Sequence, residues 1–187
     1  ECGLMGQMKL TLVRPHAKHQ NSFTEAFDEM TNVSDRLAWN YMGDNADLTF
    51  FRRDFKGYVG EMMRRETIPP PTFVCDTVYW AMDENNEVLG RISCRHTLND
   101  FLAKAGGHVG YIVRPSARGK GVATEMLRLI LEAEICRSIG RLLLTCDEDN
   151  IPSEKTILKN GGVLESILDM SPARPKKKRF WIDLGPR

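Results

Sequence analysis

The stretch Gly110-Tyr111-Ile112-Val113-Arg114-Pro115-Ser116-Ala117-Arg118-Gly119-Lys120-Gly121-Val122-Ala123-Thr124 carries the residue types best suited to chemistry. Glycines at 119 and 121 let the backbone turn its amides toward one point without side-chain obstruction. Where such a turn opens a helix, the free N–H groups of the first turn and the helix dipole offer a site for an anion. Arg118 and Lys120 add positive charge beside it. A phosphate or pyrophosphate suits this geometry best. The triphosphate loop G-x-x-x-x-G-K-[ST] and the dinucleotide fingerprint G-x-G-x-x-G are both absent. A glycine turn made basic for solubility is the bland alternative, and the flanking strand and helix weigh against it.

The elements that must position this loop follow from periodicity. Residues 9–13 are β-prone. Ser22 and Glu25 form a capping-box pair ahead of a helix whose Phe23, Ala26, Phe27 and Met30 share one face. A second helical region falls within 51–63, and the three prolines of 67–72 predict an extended connector. Residues 77–82 and 88–97 read as a hairpin about the polar turn 83–87, with Ile92, Cys94 and His96 on one face. Gly106-Gly107 precedes a strand over 108–113, and a long helix is predicted over 122–139, ended by Gly140. A strand over 141–147, a short helix over 152–159, and strands over 163–169 and 179–184 complete the order. Helices on both faces of a mixed sheet are the natural packing.

The chain has 187 residues, 42% hydrophobic and 27% charged, enough for one core. We read 8–187 as a single domain, with residues 1–7 a loose leader or appended remnant before Met8. Lysine and arginine number 26 against 25 acidic residues, so no basic excess suggests a nucleic-acid partner. No apolar run is long enough to span a membrane. Five scattered cysteines without a C-x-x-C pair point to a reducing, cytoplasmic setting, and His16 and His19 lack a matching ligand pair for a metal. The run Lys176, Lys177, Lys178 and Arg179 reads as a solvated hairpin tip rather than a contact for anionic polymers. A homodimer through the C-terminal hairpin and an ordinary solvated edge fit the sequence equally.

Arg118-x-x-Gly121-x-Ala123 resembles the acyl-CoA-binding signature R/Q-x-x-G-x-G/A of the GNAT superfamily of N-acetyltransferases, here akin to an uncharacterised bacterial branch. Asn150-x-x-Ser153 followed by Asn160-Gly161-Gly162 is similar to the family segment N-x-x-A…Y-x-x-x-G-F. The resemblance implies an α/β (α+β) fold: a mixed, mostly antiparallel central sheet with a splayed strand pair and helices on both faces. It implies acetyl-CoA as co-substrate, no metal, and a primary amine on a small molecule or protein as acceptor. The backbones of Ile112 and Val113 would bond the pantetheine arm. The amides of Arg118, Gly119, Lys120, Gly121, Val122 and Ala123, opening the helix that carries Thr124, would hold the pyrophosphate. Asn150 and Ser153 would lie near the thioester.

The sequence departs from the family at Ile157, where many relatives carry a tyrosine that protonates the departing thiolate. The departure keeps a non-catalytic acyl-CoA-binding module in play. An attacking alkyl amine, with a pKa of about 10.4, must also lose a proton. Candidates are His108, at the start of the cofactor strand, His96 on the hairpin, and Tyr111. A hydrogen-bonded structural role is the alternative for each. Asp147 and Glu148 would instead attract a cationic amine. The acceptor pocket is expected between the first helices, the 95–106 segment and the last hairpin, with aromatic and methionine residues of 50–63 as its wall.

Overall fold

A computed structural model describes residues 9–42 and 47–185. The leader proposed at residues 1–7, and with it Cys2, lies outside the described residues. Two antiparallel sheets form the frame. The first has β1 (Thr11–Val13), β2 (Asp76–Met82), β3 (Val88–Arg95) and β4 (Val109–Val113), in that spatial order. The second has β5 (Arg141–Asp147), β7 (Lys177–Asp183) and β6 (Val163–Leu168), with β7 in the middle. β4 lies beside β5 without forming a ladder with it.

Each face of the first sheet covers a different core. Alternation on β2 and β3 sends Ala81, Ile92 and Cys94 to one side, against α5 (Val122–Leu131), α6 (Glu134–Ile139) and α7 (Ile151–Lys159). Val78 and Trp80 go to the other, against α1 (Gln20–Asp28), α2 (Val33–Asn40), α3 (Phe50–Arg53) and α4 (Phe55–Arg64). That second core is aromatic. The Phe23 ring centroid lies 5.0–5.5 Å from those of Trp39, Phe51, Phe55, Tyr58 and Trp80, in tilted and edge-on geometries that aromatic quadrupoles favour. Of the aromatic and methionine residues expected to wall an acceptor pocket, Phe51, Phe55, Tyr58 and Met62 are buried in this core, whereas Phe50 is half-buried and Met63 exposed.

The hairpin, β4, β5 and α7 form close to where periodicity places them. Four local readings are corrected. The capping box is not used: α1 starts at Gln20 after a 3-10 turn, Ala17–His19, capped by His16 Nδ1, which accepts from Lys18 N–H at 3.1 Å. Ser22 is instead buried within α1, where its hydroxyl donates to Glu87 and accepts from Val88 N–H, fastening the helix to the hairpin turn. α2 leaves no apolar stripe in the sequence, because its mostly polar turns bury only Trp39 and Asn40; Asn32 caps it by accepting from Asp35 N–H at 2.7 Å. The helical region near 51–63 breaks at Asp54, which leaves helical dihedrals and caps α4 through Gly57 N–H. The proline connector is folded into a turn, closed by Phe73 N–H on the Pro70 carbonyl. The helix over 122–139 divides at Ala133, where ψ is 145° and the preceding amides tighten to i−3 bonds.

The basic run leads into β7 rather than forming a hairpin tip: Lys176 precedes the strand, and Lys177, Lys178 and Arg179 are its first residues. Lys176, Lys177, Lys178 and Arg179 pair with Asp169, Asp147, Glu154 and Glu165 respectively. Among the described residues no helix is long and apolar enough to cross a membrane, and no group of three His, Cys, Asp or Glu side chains is placed to hold a metal.

Candidate functional site

β4 is the strand about which the site is built. It is hydrogen-bonded to β3 at both ends, by Arg95 N–H on the His108 carbonyl (2.7 Å) and by Arg114 N–H on the Leu89 carbonyl (2.8 Å). Antiparallel pairs alternate between bonded and non-bonded. With Ser93 opposite Gly110 and Arg91 opposite Ile112, those two pairs are the bonded ones. The peptide groups of Val109, Tyr111 and Val113 therefore face away from β3, toward β5. This register turns the Ile112 backbone to β3, so of the two residues expected to bond a pantetheine arm only Val113 presents its peptide group to the gap, and Tyr111 joins it.

The gap opens immediately beyond His108. His108 N–H donates to the Leu143 carbonyl at 2.7 Å, and Leu143 N–H donates to His108 Nδ1 at 2.9 Å. Gly107, at φ +65°, allows this approach: a Cβ there would lie 2.4 Å from the Leu143 carbonyl oxygen. Because a main-chain N–H is the donor, Nδ1 must present its lone pair, and the neutral ring carries its proton on Nε2. Burial and the positive charge of Arg95 lower the imidazole pKa below its ordinary value. The neutral ring's one lone pair is already in use. His108 is thus not placed to take a proton from an amine, which corrects its candidacy as general base.

At the other end of β4 the chain makes a 3-10 turn, Pro115–Ala117, held from α1. Glu29 accepts from Arg114 Nη2 (2.6 Å), Arg114 Nε (3.0 Å), Ser116 N–H (2.9 Å) and the Ser116 hydroxyl (3.0 Å). Arg118 folds back, its Nε donating to the Val113 carbonyl (3.1 Å) and its Nη2 to Asp35 (2.9 Å). Its guanidinium thus serves the loop and α2 first. Gly119 and Gly121 take φ of +74° and +81°, and a Cβ at either would meet nothing within 4 Å. Gly119, Lys120 and Gly121 are exposed. The α5 ladder begins with Glu125 N–H on the Gly121 carbonyl, so the amides of Val122, Ala123 and Thr124 open the helix without intrahelical partners. The Thr124 carbonyl accepts from Asn160 Nδ2 at 3.1 Å, tying α5 to α7.

α7 supplies the third side. Asn150 Oδ1 accepts from Ser153 N–H at 3.2 Å, so its side chain caps the helix. The Ser153 hydroxyl stands 2.7 Å from the Tyr111 hydroxyl. Burial pushes the Tyr111 phenol up to about 12. Ile157 is buried in the core with Met126 and Phe180, so its position offers no proton donor to the gap. The structure thus brings Tyr111, Val113, Ser153 and the glycine turn to one side of β4, and His108 to the head of the gap.

His96 stands apart from them. Thr77 donates its hydroxyl proton to Glu66 (2.8 Å), so it accepts from His96 Nε2–H at 2.9 Å. Glu66 is held in turn by Arg14. This relay joins His96, just past the end of β3, to Thr77 on β2 and Glu66 after α4, and includes no residue of β4. Sequence reasoning missed Leu143, Arg95 and Glu29. The first acts through its main chain, and the other two acquire their roles only through pairing across distant elements.

The family model for the acetyltransferase (GNAT) domain matches residues 9–163. No curated protein matches the sequence. Among solved structures the fold is similar to that of the microcin C7 self-immunity acetyltransferase MccE in complex with acetyl-CoA and AMP, at 16% identity over 94% of this chain and 92% of that one, TM-score 0.64. It is similar to the RimL ribosomal L7/L12 alpha-N-protein acetyltransferase in complex with coenzyme A, at 16% identity over 95% and 96%, TM-score 0.64. A spermidine N-acetyltransferase from Vibrio cholerae, in complex with CoA and spermine, aligns at 12% identity over 94% and 96%, TM-score 0.61. On the extent of the domain match, with the sheets, splay and glycine turn in place, the chain belongs to the GNAT family of acetyltransferases.

Proposed function

We propose that the protein moves an acetyl group from acetyl-CoA to a primary amine by direct attack of the amine on the thioester. The observation that carries this reading is the junction of the β4–β5 gap with the exposed Gly119-Lys120-Gly121 turn at the start of α5. The turn and the amides of Val122, Ala123 and Thr124 suit a pyrophosphate, with Lys120 adding charge. The outward peptide group of Tyr111 and the N–H of Val113, whose carbonyl is held by Arg118, suit the amides of a pantetheine arm, and a β4 N–H is available to polarise a thioester carbonyl.

Acetyl-CoA supplies an activated acyl group. As the amine nitrogen bonds to the carbonyl carbon and the C–S bond breaks, the nitrogen gives up one proton and the sulfur takes one up. The Tyr111 and Ser153 hydroxyl oxygens lie 2.7 Å apart, sharing a hydrogen bond beside β4. With its pKa at about 12 Tyr111 keeps its proton throughout the neutral range, and the pair is the donor we assign to the leaving sulfur. Solvent takes the ammonium proton before attack, and the second proton, lost by nitrogen as the amide forms, passes through solvent to restore the one the pair gives to sulfur. The V. cholerae and RimL structures are of enzymes for spermidine and for a ribosomal protein, so a polyamine and a protein α-amine are the first acceptors to offer.

The test is thiol release from acetyl-CoA in the presence of a panel of primary amines, spermidine and an N-terminal peptide among them. Amine-dependent release above the hydrolysis blank is expected. Tight acetyl-CoA binding without release for any amine would identify a non-catalytic acyl-CoA-binding module instead.

A further inference from the structure

We propose that His108 is a positioning residue whose imidazole, held by Leu143, sets where β4 and β5 part and so shapes the groove for the thioester arm. The inference rests on the acetyl-transfer reading above and deepens it.

Adjacent strands normally meet through main-chain N–H and C=O groups on both sides. Here one half of the exchange is ordinary, His108 N–H on the Leu143 carbonyl. In the other half a side chain stands in for a carbonyl: Leu143 N–H donates to Nδ1 of the imidazole. The ring satisfies a buried amide of β5 that a β4 carbonyl would otherwise take, so the two strands meet here through a single main-chain bond. Beyond this point β4 and β5 exchange no further main-chain hydrogen bond among the described residues.

The bracket is anchored from its other side as well. Arg95 N–H holds the His108 carbonyl at 2.7 Å, and Arg95 Nη1 donates to the carbonyls of Gly106 and Gly107 at 3.1 and 3.0 Å. His108 is therefore fixed through its N–H, its carbonyl and its ring. Removing the ring would leave the Leu143 amide two ways to recover a partner, a β4 carbonyl or water. The first closes the gap and the second loosens it.

The experiment compares wild type, His108→Asn and His108→Gln in the full-length protein. The Asn side-chain oxygen can occupy the position of Nδ1, whereas Gln is one methylene longer and reaches past it. In the wild type at neutral pH, nitrogen NMR should show the Nε2–H tautomer, and the Leu143 amide should exchange slowly. His108→Asn should keep that protection and an acetyl-CoA affinity close to wild type. His108→Gln should lose the protection and bind acetyl-CoA about tenfold or more weakly, with its circular dichroism unchanged. If both variants instead lose kcat by about a hundredfold or more at unchanged KM, His108 is an acid–base group and the proposal falls. Full protection and affinity in His108→Gln would also overturn it. Failure of the wild type to bind acetyl-CoA would sink the underlying reading alone, because the bracket is judged separately by the Leu143 amide.

Discussion

The hydroxyls of Tyr111 on β4 and Ser153 on α7 lie 2.7 Å apart, joining the strand that borders the gap to the first turn of the helix that follows β5. Ile157, at the position where the sequence resemblance leads one to expect a tyrosine, is buried in the core. The proton donor proposed above is drawn instead from β4 and α7.

Tyr111→Phe removes one member of this pair and leaves the ring packed. We expect kcat to fall about ten- to a hundredfold, with acetyl-CoA affinity within about threefold of wild type. Ser153→Ala should do the same, and the double variant should cost little more than either, since the two act as one unit. Steady-state kinetics on the four proteins checks this. Because Tyr111 titrates at about 12, the wild-type rate should show no alkaline loss from this group below about pH 10.

Gly121→Glu places a carboxylate at the turn and a side chain on a backbone at φ +81°. A Cβ there meets no neighbour, so the strain should cost only about 1–2 kcal/mol of stability. Acetyl-CoA binding should be lost from protein that still melts cooperatively. Retained affinity would put the anion site elsewhere.

Glu29 holds Arg114 and Ser116 from the C-terminal end of α1. Burial pushes its carboxyl up, but hydrogen bonds from Arg114 and Ser116 outweigh this and hold its pKa below the ordinary carboxylate value. A lowered carboxyl contributes stability above about pH 4.5 that is lost as pH falls through its folded-state value. Glu29→Gln should therefore lower the melting temperature at pH 7 and flatten the decline of stability below pH 4.5. It should also weaken acetyl-CoA binding, because the 3-10 turn leads directly into the glycine turn.

Much of this was legible locally. The glycine turn was readable because the residues that set its conformation are contiguous. The β2–β3 hairpin was readable because alternation and a polar turn coincide. α2 was hidden, since a helix that buries little beyond Trp39 and Asn40 leaves no apolar stripe. The break at Ala133 was hidden too, as no glycine or proline marks it. His108 is visible in the sequence as an imidazole at the start of a strand, but its ring is held by a main-chain amide 35 residues away that no side-chain pattern reveals. Arg118 showed its charge in the sequence, though not that Asp35 and the Val113 carbonyl would engage it.

His108 also gives a pH dependence of defined sign. Burial first, and then the charge of Arg95 on β3, lower its pKa below 6.5 in the folded protein. The unfolded chain then binds the proton first, so stability is full above about pH 6.5 and declines as pH falls toward the folded-state value. His108→Asn should lack this component. Urea denaturation of both proteins between pH 7.5 and 5 reads the difference directly.

The most direct measurement is calorimetric titration of the wild-type protein with acetyl-CoA, with ATP as the control ligand. Saturable binding of one acetyl-CoA per chain, with ATP much weaker, is the predicted result. Equal binding of the two, or none of acetyl-CoA by folded protein, would contradict an acyl-CoA site between β4, β5 and the glycine turn.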